Sequence, residues 1–171
     1  MKEAPRQYTK RILGYLDGRD AMKVLAATPQ RLAAMTRGLT PTQLRWRPAP
    51  GKWSITEILA HLSDTELVAA YRYRMIICQS GTPIQAYDQD RWAAGCHYAK
   101  KEVKESLEEF AVVRAKNLRL LRSISRQAWE RYGLHAERGK ETVRRLTEMM
   151  AGHDLNHLGQ MERLRDALRG R

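Results

Sequence analysis

Cysteine is almost missing from this chain, and its two representatives, Cys78 and Cys96, stand too far apart for any metal-type or redox-type pairing motif. A disulfide framework and dithiol chemistry therefore have little support, and both thiols are expected to be reduced core residues. No stretch approaches the roughly 20 apolar residues of a membrane-spanning helix. The start, Met1-Lys2-Glu3-Ala4-Pro5-Arg6, is polar and lacks the apolar core of a secretory signal. A cytoplasmic location without a membrane partner is the expectation. No run alternates polar and apolar residues long enough to suggest a sheet, and there is no internal repeat or low-complexity tract. Acidic residues are also scarce: 19 stand against 31 lysines and arginines, a formal charge of +12. Such a balance raises the prospect of a nucleic-acid partner. The arginines, however, are spread over every segment, with only short clusters at Arg72-Tyr73-Arg74 and Arg144-Arg145, and no basic tail or aromatic-rich RNA-binding signature occurs. Solvated helix faces account for the charge better, so a stress-related protein with a nucleic-acid-contacting surface is the alternative rather than the leading reading.

What the chain does have is helical spacing, over a length of 171 residues that suits one domain, 1–171, with a sizeable core. Helices are expected from about Gln7 to Leu16, near Ala21 to Ala26, and from Thr28-Pro29, which resembles an N-cap and first helical position, to Gly38. Thr40-Pro41 repeats that start signal for a brief turn. Arg47-Pro48-Ala49-Pro50-Gly51 then forms a rigid connection to a helix beginning at Ile55, where Ser54 and Glu57 have capping-box spacing and Trp53 and Ile58 that of a hydrophobic staple. A crossover from Ser80 to Tyr98, with one helical turn at Asp88 to Trp92, leads to a helix from Lys101 to Ser125. A polar arm from Glu130 to Lys140 precedes a last helix that starts near Thr142 and runs almost to the end. Four long helical elements with one long crossover describe an all-α protein, a four-helix bundle in which sites are built from side chains on facing helices.

Histidine is the residue out of place. The inner stripe of the last helix reads Val143, Leu146, Met150, His153, His157, Met161, Leu164 and Leu168, so two imidazoles one turn apart occupy core positions. A buried imidazole needs a partner for its polar nitrogens, and imidazoles at i and i+4 can share one divalent ion. The pair alone is equally compatible with satisfied core histidines. His61, on the stripe of the earlier helix with Ile58, Thr65, Val68 and Arg72, supplies a third ligand, and three ligands leave a position open for a water or a substrate. Asp64 and Glu57 are candidate acceptors for the second ring proton of His61. Asp154, about 100° around the helix from His153, is expected at the surface or bonded to a neighbouring helix. Arg72, on the His61 stripe, is a candidate for binding a carboxylate of a substrate or thiol cofactor, or else pairs internally with Asp88 or Asp90. His97 and His135 lie in connecting segments and are assigned no role. Trp53 and Trp92 are pocket-lining candidates, and no residue is placed firmly enough to be assigned as general acid or base.

Three segments taken together resemble the DinB-like (DinB/YfiT) metalloenzyme family: Arg47-Pro48-Ala49-Pro50-Gly51-Lys52-Trp53-Ser54-Ile55, Ala60-His61-Leu62-Ser63-Asp64-Thr65-Glu66, and Gly152-His153-Asp154-Leu155-Asn156-His157-Leu158-Gly159-Gln160. The resemblance spans nearly the whole chain. It implies an up-down-down-up bundle, a divalent ion held by His61, His153 and His157, and frequent homodimerisation. Family members look like hydrolases or thiol-dependent transferases and isomerases acting on small molecules. The cofactors implied are a transition metal, whether zinc, nickel, iron or cobalt, and a low-molecular-weight thiol.

Overall fold

Local chemistry sets the helix starts. In the computed structural model, which describes residues 3–169, α1 (Pro5–Gly14) opens with a proline in its first turn, and α2 (Ala21–Thr36) is capped by Asp20, whose side chain accepts the Lys23 amide. Residues 1, 2, 170 and 171, and with them the outermost ends of the expected domain and part of its polar start, lie outside the described residues. The brief α3 (Pro41–Arg45) and the long α4 (Ile55–Cys78) each begin with a complete capping box, Thr40 with Gln43 and Ser54 with Glu57. In the crossover stand β1 (Thr82–Ile84) and α5 (Gln89–Gly95), the latter capped by Asp88. Then come α6 (Val103–Ser123), the strands β2 (Tyr132–His135) and β3 (Gly139–Thr142), and α7 (Val143–Arg169). No helix among the described residues is long and apolar enough to cross a membrane.

Three expectations change. Thr28-Pro29 does not start a helix but lies inside α2. A proline in a helix interior leaves the carbonyl four residues earlier without its donor. Here that carbonyl belongs to Leu25, and Arg114 Nη1 donates to it from α6 at 2.9 Å. The arm after Glu130 is not merely polar: β2 and β3 form a hairpin and β1 joins β2 in parallel, with Ile84 opposite His135. Cys78 and Cys96 are both exposed, since one ends α4 and the other caps α5, where neither side chain reaches the core.

The four long helices α2, α4, α6 and α7 make an up-down-down-up bundle in which α4 packs against both α6 and α7, as does α2. Its apolar core divides in two. One cluster gathers Leu25, Tyr73, Leu118, Leu121, Leu146 and Leu155, and the other gathers Leu32, Ile58, Leu62, Phe110, Leu158 and Met161. Between them every long helix contributes polar side chains: Thr28 from α2, His61 and Glu66 from α4, Arg114 from α6, and His153, Asp154 and His157 from α7, all buried. Buried polar groups need partners inside the protein, so this layer is where the chain departs from simple packing and where its site lies.

Candidate metal centre

Half of the polar layer is satisfied by charge. Arg114, 1% exposed, donates to both Asp154 oxygens at 2.6 and 3.2 Å and to Glu66 at 2.8 Å, while Asn117 Nδ2 donates to the other Glu66 oxygen at 2.8 Å. Asp154 thus takes the neighbouring-helix option rather than the surface. This clamp ties α2, α4, α6 and α7 together one residue from His153. No sequence motif marks Arg114 or gives Glu66 or Asn117 this role; Glu66 stands within the second of the family-like segments, and Asn117 is a polar residue on an otherwise apolar helix stripe.

The other half is the histidine trio. His61 Nε2 lies 3.1 Å from His153 Nε2, which lies 3.2 Å from His157 Nε2, and all three ligand atoms fall within 4.8 Å of one another. Neutral imidazoles carry one proton each, so rings converging through their Nε2 edges either share a proton in one pair or set lone pairs against each other. A central cation removes that conflict. Bonds of about 2.0–2.1 Å in a tetrahedral site set nitrogens about 3.3–3.4 Å apart, slightly beyond the His61–His153 and His153–His157 spacings of 3.1 and 3.2 Å. Burial pushes the basicity of all three rings down, to about 4 for His153, helped there by Arg114 and Arg11 and for His61 by the other two rings. Their lone pairs are therefore free at neutral pH. His157 Nδ1 has Gln160 Oε1 at 3.0 Å, which fixes the ring. The Nδ1 atoms of His61 and His153 are enclosed and have no hydrogen-bond partner among the described residues. Neither expected carboxylate reaches them: Glu57 is held by Arg47 and Ser54, and Asp64 accepts from Tyr98 Oη at 2.6 Å.

Trp53 closes one side, its ring 4.9 Å from that of His61 and 6.5 Å from that of His157. On the other side His61 and His153 line a cavity of about 780 Å³. Its wall includes Thr65, whose hydroxyl lies 3.4 Å from His61 Nε2 and 2.8 Å from the Tyr87 hydroxyl. Trp92 packs on Tyr87 at 4.6 Å and lines a smaller neighbouring cavity rather than the trio. Arg72 lies on the wall shared by the two cavities, donating to the Gln85 carbonyl at 2.6 Å with its guanidinium 5.9 Å from the Tyr87 ring. No ion pair to Asp88, Asp90 or any other carboxylate holds it among the described residues. His97 is exposed and takes a left-handed backbone at φ 53°.

Gly152 makes the assembly possible. A Cβ there would stand 2.1 Å from the Ile12 carbonyl oxygen, so only glycine lets α1 lie against α7 beside His153 and bring Tyr8 and Arg11 to the cavity.

Comparison with known proteins agrees with this architecture. A family model described as the DinB superfamily matches residues 25–161. A protein of Oceanobacillus iheyensis named "Putative metal-dependent hydrolase OB0782" is 26% identical over 136 residues, covering 80% of this chain and 78% of its own. "Putative metal-dependent hydrolase YfiT" of Bacillus subtilis is 21% identical over 145 residues, covering 84% and 81%. The solved structure of YfiT, described as "a probable metal-dependent hydrolase with an unusual four-helix bundle topology", superposes with a TM-score of 0.81 at 18% identity, over 98% of this chain and 90% of that one.

Proposed function

The chain belongs to the DinB superfamily, and from that premise we propose that it is an enzyme in which His61, His153 and His157 hold a divalent transition ion that activates a water or a low-molecular-weight thiol against an electrophilic small molecule. Three neutral imidazoles suit zinc, nickel, iron or cobalt. Bound there, the ion supplies Lewis acidity, lowering the pKa of whatever water or thiol takes its open position. The residues around it do the rest. Trp53 and the apolar cluster behind it keep bulk water off the far side, so reactants enter from the cavity past His61 and His153. Thr65, hydrogen-bonded to Tyr87, places a hydroxyl beside the ligand edge of His61 and orients the incoming nucleophile. Arg72 takes a carboxylate of the substrate or of a thiol cofactor. With water as nucleophile the reaction is a hydrolysis, which the names of the relatives favour; with a thiol it is a transfer or isomerisation.

The observation carrying this reading is the convergence of three Nε2 atoms at one end of a cavity. Elemental analysis of the purified protein, coupled to a screen of ester hydrolysis and of thiol addition to electrophiles, tests it. One ion per chain, lost together with activity in His153→Ala, is expected. An ion-free wild type, or activity that survives the substitution, sinks the reading.

A further inference from the structure

A fourth histidine faces the same cavity. His135 ends β2 on the inward side of the sheet, 3% exposed, at the start of the turn that Gly139 closes at φ 75°. Its Nδ1 accepts the backbone amides of Glu137 and Arg138 at 3.2 and 3.4 Å. An imidazole nitrogen that accepts two amides carries no proton, so the ring's proton sits on Nε2. No side chain or backbone group takes that Nε2–H among the described residues, yet it is not among the fully enclosed unpartnered atoms; it opens toward the cavity that His135 lines. Burial and the adjacent Arg138 hold the ring's pKa down to about 4, so it is a neutral donor at physiological pH.

Beside it stand two guanidiniums. Arg72 has no carboxylate partner among the described residues, and Arg138 spends Nε and Nη2 on Glu141, which leaves Nη1. Burial and the nearby charge of Arg138 act against the positive charge of Arg72 and outweigh the support it draws from the Glu141 carboxylate. The cavity wall also carries Glu3, Asp88, Asp90 and Glu137. Where His135 sits, however, it offers the Arg72 guanidinium, the Arg138 Nη1 left over from the Glu141 pair and an oriented neutral N–H without an acceptor among the described residues, a preorganised place for anionic oxygen.

We propose that His135 is the hydrogen-bond donor of an anion subsite that it forms with Arg72 and Arg138, and that the molecule reacting at the three-histidine centre is held there by a carboxylate or phosphate group. This rests on the reading of the cavity as a reactant site where Arg72 takes an anionic group, and adds to it a neutral donor, His135 Nε2–H, and a second guanidinium, Arg138, at the same point of attachment. No bond is made or broken by His135; it positions the reactant.

Succinate and inorganic phosphate are the probes, titrated calorimetrically into metal-loaded and chelator-treated protein while ¹⁵N spectra follow the His135 ring. The wild type is expected to bind one of the two in both forms, with the His135 Nε2–H resonance moving; which one binds identifies the group. His135→Asn keeps an acceptor for the two turn amides but has no donor at the Nε2 position, and should weaken binding about ten- to hundredfold, the range for a hydrogen bond to a charged group. His135→Gln, which restores an N–H farther out, should recover part of it, and neither should change metal content. Wild-type protein that binds neither anion, an Nε2 resonance that does not move, or His135→Asn that binds as the wild type does overturns the proposal. Metal content read on the same samples separates the two ideas: an ion-free protein ends the metal reading, while the chelator-treated titration still decides this one.

Discussion

Replacing Arg114 with methionine tests the core of the fold most sharply. The guanidinium is 1% exposed and satisfies three acceptors on three helices: the Leu25 carbonyl freed by Pro29, both oxygens of Asp154, and Glu66. Methionine fills much of the volume but leaves two carboxylates buried side by side with no cation. Removing one partner of a buried ion pair typically costs about 3–5 kcal/mol, because the charge left behind is neither solvated nor paired. For a chain of this size that corresponds to a Tm lowered by roughly 6–20 °C. Urea titrations followed by circular dichroism at pH 7 measure it. The same argument predicts that adding Glu66→Gln and Asp154→Asn to Arg114→Met restores part of the stability, since no charge then remains in this buried clamp. A single variant within about 1 kcal/mol of wild type, or a triple variant less stable than the single one, would refute this reasoning.

Other consequences follow from the same geometry. Gly152→Ala puts a methyl group into the Ile12 carbonyl, a backbone atom that cannot swing aside, and should cost about 1–3 kcal/mol while raising hydrogen exchange at Ile12 as α1 lifts; unchanged exchange there contradicts it. Gln160→Ala removes the acceptor of His157 Nδ1 and should weaken the ion's affinity about 10- to 100-fold in competition with a chelator, leaving metal-free stability within about 0.5 kcal/mol. Metal-free protein should be most stable above pH 6.5 and lose stability as the pH falls toward 4. In that window an unfolded histidine gains a proton that the buried His153 refuses, at about 1.4 kcal/mol for each unit its pKa is depressed. A stability profile flat across that range would show the rings to be solvated.

The three candidate ligands were legible because a helix repeats every 3.6 residues, and a histidine on an apolar stripe stands out in any sequence. Ser54 and Glu57 likewise announced the start of α4, and the structure begins that helix at Ile55. Pro29 misled because Thr28-Pro29 is a good start signal taken locally. What overrides it is a hydrogen bond from Arg114, far away in the chain, and no local rule contains that information. The sheet was hidden for a related reason: strands of three and four residues are too short to show alternation, and β1 finds β2 across some fifty positions. His135 was passed over with them, since only the fold turns a connecting segment into a wall of the cavity. Asp154 shows the limit of angular reasoning: 100° from a ligand on one helix is the direction of a neighbouring helix as readily as of solvent.

The most direct test of the central claim is the location of an ion by anomalous diffraction from crystals of the purified protein. The account predicts a single peak about 2.0–2.2 Å from the Nε2 atoms of His61, His153 and His157, with no fourth protein ligand and its free side toward the cavity that His135 lines. A peak bound elsewhere, one coordinated through Nδ1, or one closed off by a fourth side chain would contradict it.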